Sequence, residues 1–284
     1  MASLVGELVL TLSCPDRPGI VHAVSGFLAA RNCNILDSQQ YGSPVTSTFF
    51  LRVHFDSPVT EHELRENFGE LATTFSMTWE LHASAHRPNV LVMVSREGHC
   101  LNDLLYRWRA GYLPCTISAV VSNHADLASL TAPYDVPFHH LPVTKETRED
   151  QERATRDLVD RLGIELVVLA RYMQILSPEF CARLPGRIIN IHHSFLPSFR
   201  GGRPYEQAYV RGVKLIGATA HYVTADLDEG PIIEQEVARV GHVHDPAALA
   251  AVGRDLECVA LARAVRWHLE HRVLLDGDRT VVFG

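Results

Sequence analysis

The sequence has no run of about 18 apolar residues, which is the length that a membrane-spanning helix needs. Its opening segment, M-A-S-L-V-G-E, has no basic residues, and Glu7 interrupts the apolar stretch, so no secretory signal is predicted. There is also no C-x-x-C pair and no H-E-x-x-H motif. These absences predict a cytoplasmic protein without a membrane partner.

The overall charge of the chain is acidic. The formal net charge is −7 and the isoelectric point is about 6.1, which argues against a nucleic-acid partner. The six cysteines are scattered without regular spacing, so they are expected to be reduced thiols and not disulfides or zinc ligands. They are Cys14, Cys33, Cys100, Cys115, Cys181 and Cys258.

Sixteen histidines raise the question of a metal site. His192 and His193 are adjacent on a predicted strand and should therefore face opposite sides of it. His242 and His244 lie in the loop-like segment G-H-V-H-D-P, without a thiol or a second metal-binding motif nearby. The spacing therefore predicts no metal site.

The first 84 residues show the order β-α-β-β-α-β of a ferredoxin-like unit. Thr60 is a predicted N-cap, with Glu63 three residues later completing a capping box for the second helix. Apolar periodicity predicts strands over 7–13, 34–41, 46–55 and 77–82, and helices from Ile20 and over 60–73. We therefore expect a domain over 1–84.

Residues 85–284 alternate strand and helix patterns, which predicts an α/β domain with a Rossmann-like, mostly parallel sheet. Strands are predicted over 90–94, 117–121, around Phe138, and over 165–170, 187–192, 214–223 and 232–238. Helices are predicted through Leu101, Leu104 and Trp108, over 146–162, and over 246–268. Asp276-Gly277 predicts the turn of a final hairpin over 273–283.

Two common enzyme motifs are missing from the second domain. The segment S-R-E-G-H-C-L-N-D, after its first strand, has one glycine where a dinucleotide site needs several. No G-x-S-x-G elbow is present, so Ser95 and Ser194 are interpreted as turn and cap residues and not as nucleophiles. Oxidoreductase and serine hydrolase chemistry are therefore disfavoured.

The segment I-I-N-I-H-H-S-F-L-P, residues 188–197, carries the first catalytic candidates. Because side chains alternate along a strand, Asn190 and His192 should share one face. Open α/β sheets place their ligands at the carboxyl ends of strands, where this pair lies. The alternative is a buried strand with two hydrogen-bonded polar groups.

An acid for this site is expected in A-H-Y-V-T-A-D-L-D-E-G-P-I-I, residues 220–233. Asp228 precedes the turn Gly230-Pro231, and Asp226 is the competing carboxylate. The alternative role for Asp228 is an Asx-turn at a hairpin. An amide donor, an imidazole and a carboxylate can transfer or hydrolyse an acyl group without a covalent intermediate.

Three separated segments resemble the folate-dependent formyltransferase fold. They are N-I-H-H-S-F-L-P, L-A-R-Y-M-Q-I-L-S and G-A-T-A-H-Y-V-T-A-D-L-D-E-G-P-I-I. The doubled histidine, H-C-L-N-D-L-L-Y-R-W and the opening C-P-D-R-P-G-I-V, which resembles an ACT domain, make the chain most similar to the formyltetrahydrofolate deformylase family. One departure is Arg203 in G-G-R-P-Y, where a lysine is expected.

This resemblance implies a hydrolase of a linear amide bond that converts 10-formyltetrahydrofolate to formate and tetrahydrofolate, supplying formate for purine synthesis and balancing one-carbon pools. Asn190 would hold the formyl oxygen, His192 would stabilise the tetrahedral intermediate, and Asp228 would position or activate water. No cofactor is implied, because folate is the substrate.

The same resemblance implies a set of substrate-binding residues. Arg200 and Arg203 are further candidates, for the glutamate tail, and His193 would narrow the acceptor side. Ordinary core packing is the alternative for Met173, Ile175 and Leu176. The implied set is Met173, Gln174, Ile175, Leu176, His193, Val223, Thr224, Ala225 and Asp226.

An ACT-like domain implies amino-acid effectors, with glycine and methionine as the candidates, and a homo-oligomer, either a dimer or a tetramer. The predicted effector-binding residues are Asp16, Arg17, Pro18, Gly19 and Asn34. The alternative is a domain that serves only in oligomerisation. Two rival functions remain for the whole chain: a formyltransferase acting on an amine, and a non-catalytic amino-acid sensor.

Overall fold

The computed structural model describes residues 6–144, 146–196 and 204–284. It divides into two compact units: Met1–His86 together with Glu270–Gly284, and Arg87–Leu269. The division differs from the sequence-based expectation because residues 270–284 belong to the first unit and not to the second.

The first unit is built around β1 (Gly6–Pro15), α1 (Ile20–Ala29), β2 (Asn34–Ser43), β3 (Thr48–Ser57), α2 (Glu61–Phe75) and β4 (Thr78–Ala83). Its described residues form an antiparallel sheet in the order β2-β3-β1-β4. Leu8, Leu10 and Leu12 alternate along β1 and pack in one cluster with residues of both helices. Thr60 caps α2, since its side chain accepts a hydrogen bond from the backbone of Glu63 at 3.2 Å. The predicted ferredoxin-like order is confirmed.

The second unit contains β5 (Asn89–Val94), α3 (His99–Arg109), β6 (Thr116–Ser122), α4 (Ala128–Thr131), a 3₁₀ turn (Ala132–Tyr134), β7 (Phe138–His140), α5 (Arg148–Arg161), β8 (Leu166–Leu169), α6 (Pro178–Arg183), β9 (Ile188–His192), α7 (Pro204–Arg211), β10 (Leu215–Tyr222), β11 (Ile232–Arg239) and α8 (Pro246–Leu269). Within the described ranges its sheet has the order β11-β10-β9-β8-β5-β6-β7. Strands β5 to β9 run parallel, whereas β10 is antiparallel to both of its neighbours. The mostly parallel α/β fold is confirmed.

The two helices next to β9 along the chain, α6 and α7, were not predicted. The signal for α6 is present in the sequence: Ser177 accepts from the backbone of Phe180 at 3.1 Å, and Pro178 is the first helical residue. In the part of the chain that is described, no helix has both the length and the apolar character needed to cross a bilayer.

The chain closes with the predicted hairpin, β12 (Val273–Asp276) and β13 (Arg279–Val282). Gly277 supplies the left-handed turn at φ 63°. Asp276 accepts hydrogen bonds from Ser43 at 2.8 Å and Thr46 at 2.6 Å. The hairpin therefore completes the first unit through contacts that are distant in sequence.

Candidate active site

The three predicted catalytic groups converge on one face of β9. Nδ1 of His192 lies 3.3 Å from Oδ2 of Asp228. In the antiparallel register with β10, His221 is directly opposite Asn190, and its Nε2 lies 3.2 Å from Nδ2 of Asn190. His221 also approaches Oδ1 of Asp228, at 3.8 Å. The site is thus a group of four polar side chains on two paired strands and the loop that follows them.

The loop between β10 and β11 turns Asp228 back toward β9. Asp228 adopts a left-handed backbone conformation, φ 57°. Gly230 passes so close to β10 that a Cβ atom on it would lie 1.8 Å from the carbonyl oxygen of Tyr222. Only glycine fits there. The carboxylate of Asp228 faces His192, so it does more than close an Asx-turn.

The competing acid, Asp226, is exposed, and its backbone carbonyl accepts from Thr224 Oγ1 at 3.1 Å. It lines the same cavity as Asp228. Asp228, in contrast, is paired with His192. Geometry therefore favours Asp228 as the acid of the site.

His221 fixes the orientation of the Asn190 amide. Nδ1 of His221 lies 2.9 Å from the carbonyl oxygen of Tyr222, so this nitrogen carries the proton and donates. Nε2 of the neutral ring must then accept, and its partner is the Nδ2 donor of Asn190. No acceptor among the described residues takes the second Nδ2 hydrogen of Asn190, so it is available to another acceptor. The contacts with His221 and Tyr222 therefore make the Asn190 amide a hydrogen-bond donor.

The protonation states suit such a site. The hydrogen bond from His192 holds the pKa of Asp228 below its ordinary value, against the opposing effect of burial. Burial lowers the pKa of His221, which keeps it neutral. Burial, with the nearby Arg171 and His192, lowers the pKa of His193 to about 4. At neutral pH the site therefore contains an ionised carboxylate beside neutral His193 and His221.

The expectation that His192 and His193 face opposite sides is wrong. Their ring centroids are 5.2 Å apart with an interplanar angle of 24°, and both rings line the same cavity. Strand β9 ends at His192, and His193 already lies in a bend, so the alternation of a strand does not extend to it. The divergence of these two histidines was one argument for predicting no metal site, and that argument no longer holds.

In the described ranges, the side chains with metal-ligand spacing are instead His99, Cys100 and Glu257. Glu257 accepts a hydrogen bond from Nε2 of His99 at 2.7 Å and one from Tyr205 at 2.8 Å. A hydrogen bond with Cys258, together with burial, raises the pKa of Cys100 well above its ordinary value, and a neutral thiol is a poor ligand. Both oxygens of Glu257 are thus engaged by hydrogen bonds, and metal independence stays a prediction.

A cavity of about 530 Å³ opens over this group of side chains. It is large enough for a small-molecule ligand. Asn190, His192 and Asp228 line it together with all of the predicted substrate-binding residues, namely Met173, Gln174, Ile175, Leu176, His193, Val223, Thr224, Ala225 and Asp226.

Core packing does not explain the positions of Met173 and Ile175. The side chains of Met173 and Ile175 are 58% and 57% exposed, so for these two residues the packing alternative is wrong. Leu176 is partly buried against the core of the unit and combines both roles. Apolar side chains left exposed in a concave site are typical of a ligand-binding surface.

Two polar contacts hold this exposed segment in place, and a third fixes the serine that makes one of them. The Ser95 hydroxyl accepts from the backbone of Met173 at 2.9 Å and donates to Asn123 at 2.7 Å. Arg148 of α5 donates to the carbonyl oxygen of Ile175 at 2.7 Å. Ser95 is therefore an anchor for the cavity lining, in agreement with its interpretation as a structural residue.

Sequence reasoning missed four residues of the cavity that carry polar groups: Arg171, Tyr172, Tyr205 and His221. His221 could have been found, because it alternates with Thr219 on an apolar strand that leads directly to the acid. Arg171 and Tyr205 become recognisable only through contacts with α8, which is distant in sequence.

The predicted effector residues lie around the β1–α1 turn of the first unit. Gly19, at φ 95°, precedes α1, and the backbone of Asp16 donates to Ser47 at 2.9 Å. Arg17 donates to the carbonyl oxygen of Thr74, and its guanidinium lies 4.3 Å from the centroid of the Phe75 ring. Pro18 and Asn34 are exposed. Arg17 is thus committed to α2, and effector binding stays a prediction. Arg200 and Arg203 lie outside the described residues.

Comparison with known proteins identifies both units. The model of the formyl transferase family matches residues 88–265, which is more than half of the chain, and the ACT domain model matches residues 8–66. The second unit is thus a formyl transferase domain, and it follows an ACT domain.

Relatives along the whole chain narrow this class. The formyltetrahydrofolate deformylase of Corynebacterium sp. (strain P-1) is 52% identical over 277 residues, covering 96% of this chain and 97% of the relative. The crystal structure of the formyltetrahydrofolate deformylase from Burkholderia mallei is 52% identical, covers 98% of this chain and 100% of its own, and superposes with a TM-score of 0.94. The chain belongs to the formyltetrahydrofolate deformylase family.

A second group of solved structures matches the catalytic unit less closely. Glycinamide ribonucleotide transformylase 1 from Symbiobacterium toebii is 30% identical, with a TM-score of 0.66. The match covers 70% of this chain and 95% of the transformylase. The two groups thus share the formyl transferase domain, and the deformylases match the chain over nearly its full length.

Proposed function

We propose that this protein hydrolyses 10-formyltetrahydrofolate to formate and tetrahydrofolate. The observation that carries the proposal is the contact of the Asp228 carboxylate with His192, beside Asn190, in a cavity of about 530 Å³. Nε2 of His192 is buried and has no hydrogen-bond partner among the described residues. Buried polar atoms normally have partners, so this nitrogen is available to a reacting group.

The reaction begins when water adds to the formyl carbon. The available Nδ2 hydrogen of Asn190 donates to the formyl oxygen, and His192 stabilises the negative charge that develops there. Asp228, held ionised by its contact with His192, positions the water and accepts its proton. Collapse of the tetrahedral intermediate breaks the bond between the formyl carbon and N10. The amine nitrogen takes up a proton, and formate leaves.

The pterin and its linker occupy the exposed apolar side of the cavity. Met173 and Ile175 offer apolar contacts from one segment, and the backbone of residues 223–228 offers hydrogen-bonding groups from the other. Folate is consumed as the substrate, so no separate cofactor is needed. In a cell, the products would supply formate for purine synthesis and adjust one-carbon pools.

The alternative, a formyltransferase acting on a phosphorylated amine, has less support. The loop R-E-G-H-C between β5 and α3 has a single glycine, and Glu97 would repel a phosphate at that position. The side chain of Glu97 lies 3.9 Å from Nδ1 of His99 at the start of α3. An anionic side chain at a helix N-terminus competes for the place of an anionic ligand.

For the first unit we propose regulation by a small amino acid, with glycine and methionine as candidates. ACT domains bind such effectors between paired copies, so the proposal includes a homo-oligomer, either a dimer or a tetramer. The residues proposed for contact are Asp16, Arg17, Pro18, Gly19 and Asn34. A cytoplasmic location is part of the same proposal.

One experiment separates the three candidate functions. Purified protein is mixed with 10-formyltetrahydrofolate in the absence of an amine, and formate is measured enzymatically. A deformylase releases formate stoichiometrically with tetrahydrofolate, whereas a transferase requires the amine and a sensor does neither. Absence of formate release would remove the proposed function.

A further inference from the structure

A second carboxylate lies beside the catalytic cavity and is fully enclosed. Glu257 of α8 is 1% exposed. Its Oε1 accepts from the hydroxyl of Tyr205 at 2.8 Å, and its Oε2 accepts from His99 at 2.7 Å and lies 3.5 Å from Nε of Arg171. The carboxylate is thus satisfied by groups of the chain itself.

The phenol of Tyr205 sits in a notch on α8. A Cβ atom on Gly253, one turn before Glu257, would lie 1.9 Å from the tyrosine hydroxyl oxygen and 2.2 Å from its ring carbon Cζ. Glycine is unfavourable in the middle of a helix, so its presence here needs a packing reason. The reason is the ring of Tyr205, which is held in place by the notch and by its hydrogen bond to Glu257.

Tyr205 also lines two cavities. Together with His193 it lines the main cavity, and the same two residues line a small cavity of about 20 Å³ behind them. The two rings are 6.4 Å apart, centroid to centroid. A volume of about 20 Å³ is close to the 10–15 Å³ that one water molecule needs, so nothing larger fits behind this pair.

The position of Tyr205 in the main cavity suggests which nucleophiles it excludes. The proposed folate contacts come from residues 173–176 and 223–228, whereas His193, Arg171 and Tyr205 form the remaining polar side. A nucleophile that is not part of folate would approach the formyl carbon from that side. The size of this space decides which nucleophile can react.

We propose that Tyr205, held in the Gly253 notch and by Glu257, determines specificity by restricting the acceptor side to water. The inference rests on the proposed hydrolysis of 10-formyltetrahydrofolate. Removal of the ring would join the two cavities and admit an amine nucleophile. The protein would then transfer the formyl group to that amine in competition with hydrolysis.

The competing reaction is balanced without any further reactant. The nitrogen of a hydroxylamine adds to the formyl carbon, and a new carbon–nitrogen bond forms. The bond from that carbon to N10 breaks, and the proton lost by the attacking nitrogen is taken up at N10. The products are tetrahydrofolate and an N-formylated hydroxylamine, with no change of oxidation state.

The test compares Tyr205→Ala with the unmodified protein in the presence of O-benzylhydroxylamine, a nucleophile much larger than water. Chromatography measures the ratio of the formylated product to formate. Pocket-size discrimination is typically worth tenfold or more, so we expect this ratio to rise by about tenfold in Tyr205→Ala. Tyr205→Phe is the matched control. It keeps the ring in the notch without the hydrogen bond to Glu257, so its ratio should rise much less than that of Tyr205→Ala.

The possible outcomes are distinct. An unchanged ratio in a Tyr205→Ala protein that still releases formate would overturn the inference, as would an equal rise in Tyr205→Phe. If the alanine variant does not fold, Tyr205→Leu keeps apolar packing against the cluster around Leu249 and Ile216 and is expected to raise the ratio in the same direction. If the unmodified protein releases no formate at all, the proposed function itself fails, which is a different result from an unchanged ratio.

Discussion

Two carboxylates of the second unit, Asp228 and Glu257, each contact a histidine, yet their surroundings differ. Asp228 stands on a loop with a left-handed backbone conformation, has 14% of its side chain exposed and lines the main cavity together with its histidine partner. Glu257 stands on a helix with 1% exposed, and both of its oxygens are engaged by hydrogen bonds. Both pairs combine a carboxylate with an imidazole, but the two carboxylates differ in their exposure and in how many hydrogen bonds they already accept.

This comparison shows why proximity of an acid and a histidine does not by itself identify a catalytic pair. A reacting group needs a lone pair or a proton that the folded protein does not already use. Among the described residues, each histidine keeps a buried nitrogen without a hydrogen-bond partner, Nε2 of His192 and Nδ1 of His99. Of the two pairs, however, only His192 and Asp228 line the main cavity, where a substrate can reach them, and both oxygens of Glu257 are already engaged. We therefore assign reactivity to the first pair and positioning to the second.

Replacement of the reactive acid should have the largest effect on rate. We expect Asp228→Asn to fold and to bind folate but to lose about 10²-fold or more in turnover, the cost of removing a proton-transfer group. Steady-state kinetics and folate fluorescence titration measure the two quantities. Asp226→Asn is the matched control and should stay near the unmodified rate; the reverse pattern would move the acid role to Asp226.

Replacement of the enclosed acid should affect stability more than rate. Glu257→Gln leaves the buried guanidinium of Arg171 without its counter-charge, and breaking a buried pair typically costs about 3 kcal/mol or more. We expect that loss in the free energy of unfolding, measured in urea, with turnover reduced less than in Asp228→Asn. A stable Glu257→Gln protein with turnover as low as that of Asp228→Asn would erase the distinction between the two carboxylates.

Replacement of His221, which lies beside Asp228 and His192, should have a smaller effect on the rate. Its ring accepts from Asn190, so His221→Leu should release the amide and lower kcat by roughly 3- to 10-fold, the scale of one hydrogen bond, with little change in KM. A double-mutant cycle checks the route. In an Asn190→Ala background the same change should cost little more, whereas independent, additive losses would show that His221 does not act through Asn190.

The pH dependence of stability should report on His193. Its pKa is lowered from 6.5 to about 4 in the folded protein, so between these values the unfolded chain binds more protons. Stability from this residue is therefore present above pH 6.5 and is lost as the pH falls toward 4. Urea unfolding at pH 7.5 and pH 5 should show a larger acid-induced loss in the unmodified protein than in His193→Gln; equal losses would show that His193 protonates freely.

Amino-acid binding to the first unit, which contains neither carboxylate, should have the smallest effect on turnover. An effector changes activity only if it binds two states with different affinity, so binding and rate must change together. Calorimetry with glycine and with methionine should detect binding that shifts turnover of the full chain by a few fold, the usual scale of such coupling. If neither amino acid binds, a role for this unit in oligomerisation alone remains.

The sequence predicted those parts of the molecule that depend on local patterns. Alternation placed Asn190 and His192 on one face, and the Thr60 capping box located the start of α2. His193 was misplaced because the strand ends one residue before it, and local periodicity does not mark that end. The Gly230-Pro231 turn favoured Asp228 over Asp226, and the family resemblance decided against a purely structural Asx-turn. The close contact between Gly230 and Tyr222 that shapes this turn was not predictable.

Contacts between distant segments were not predictable in this way. The reason for a glycine at position 253 is its contact with the Tyr205 ring, and the two residues lie on different helices. The same holds for the final hairpin, whose partners in the first unit are more than 200 residues away. Side-chain periodicity cannot encode such pairings.

The final hairpin also has a consequence for the order of folding during synthesis. Ser43 and Asp276 are 233 positions apart, so at about 5–20 residues per second the ribosome makes the second roughly 10–50 seconds after the first. Until then, Ser43 and Thr46 lack the carboxylate that accepts their hydrogen bonds. We expect the catalytic unit to emerge and begin folding while the first unit is still incomplete. Limited proteolysis of ribosome-bound chains halted before and after residue 276 would show whether protection of β2 and β3 waits for the hairpin.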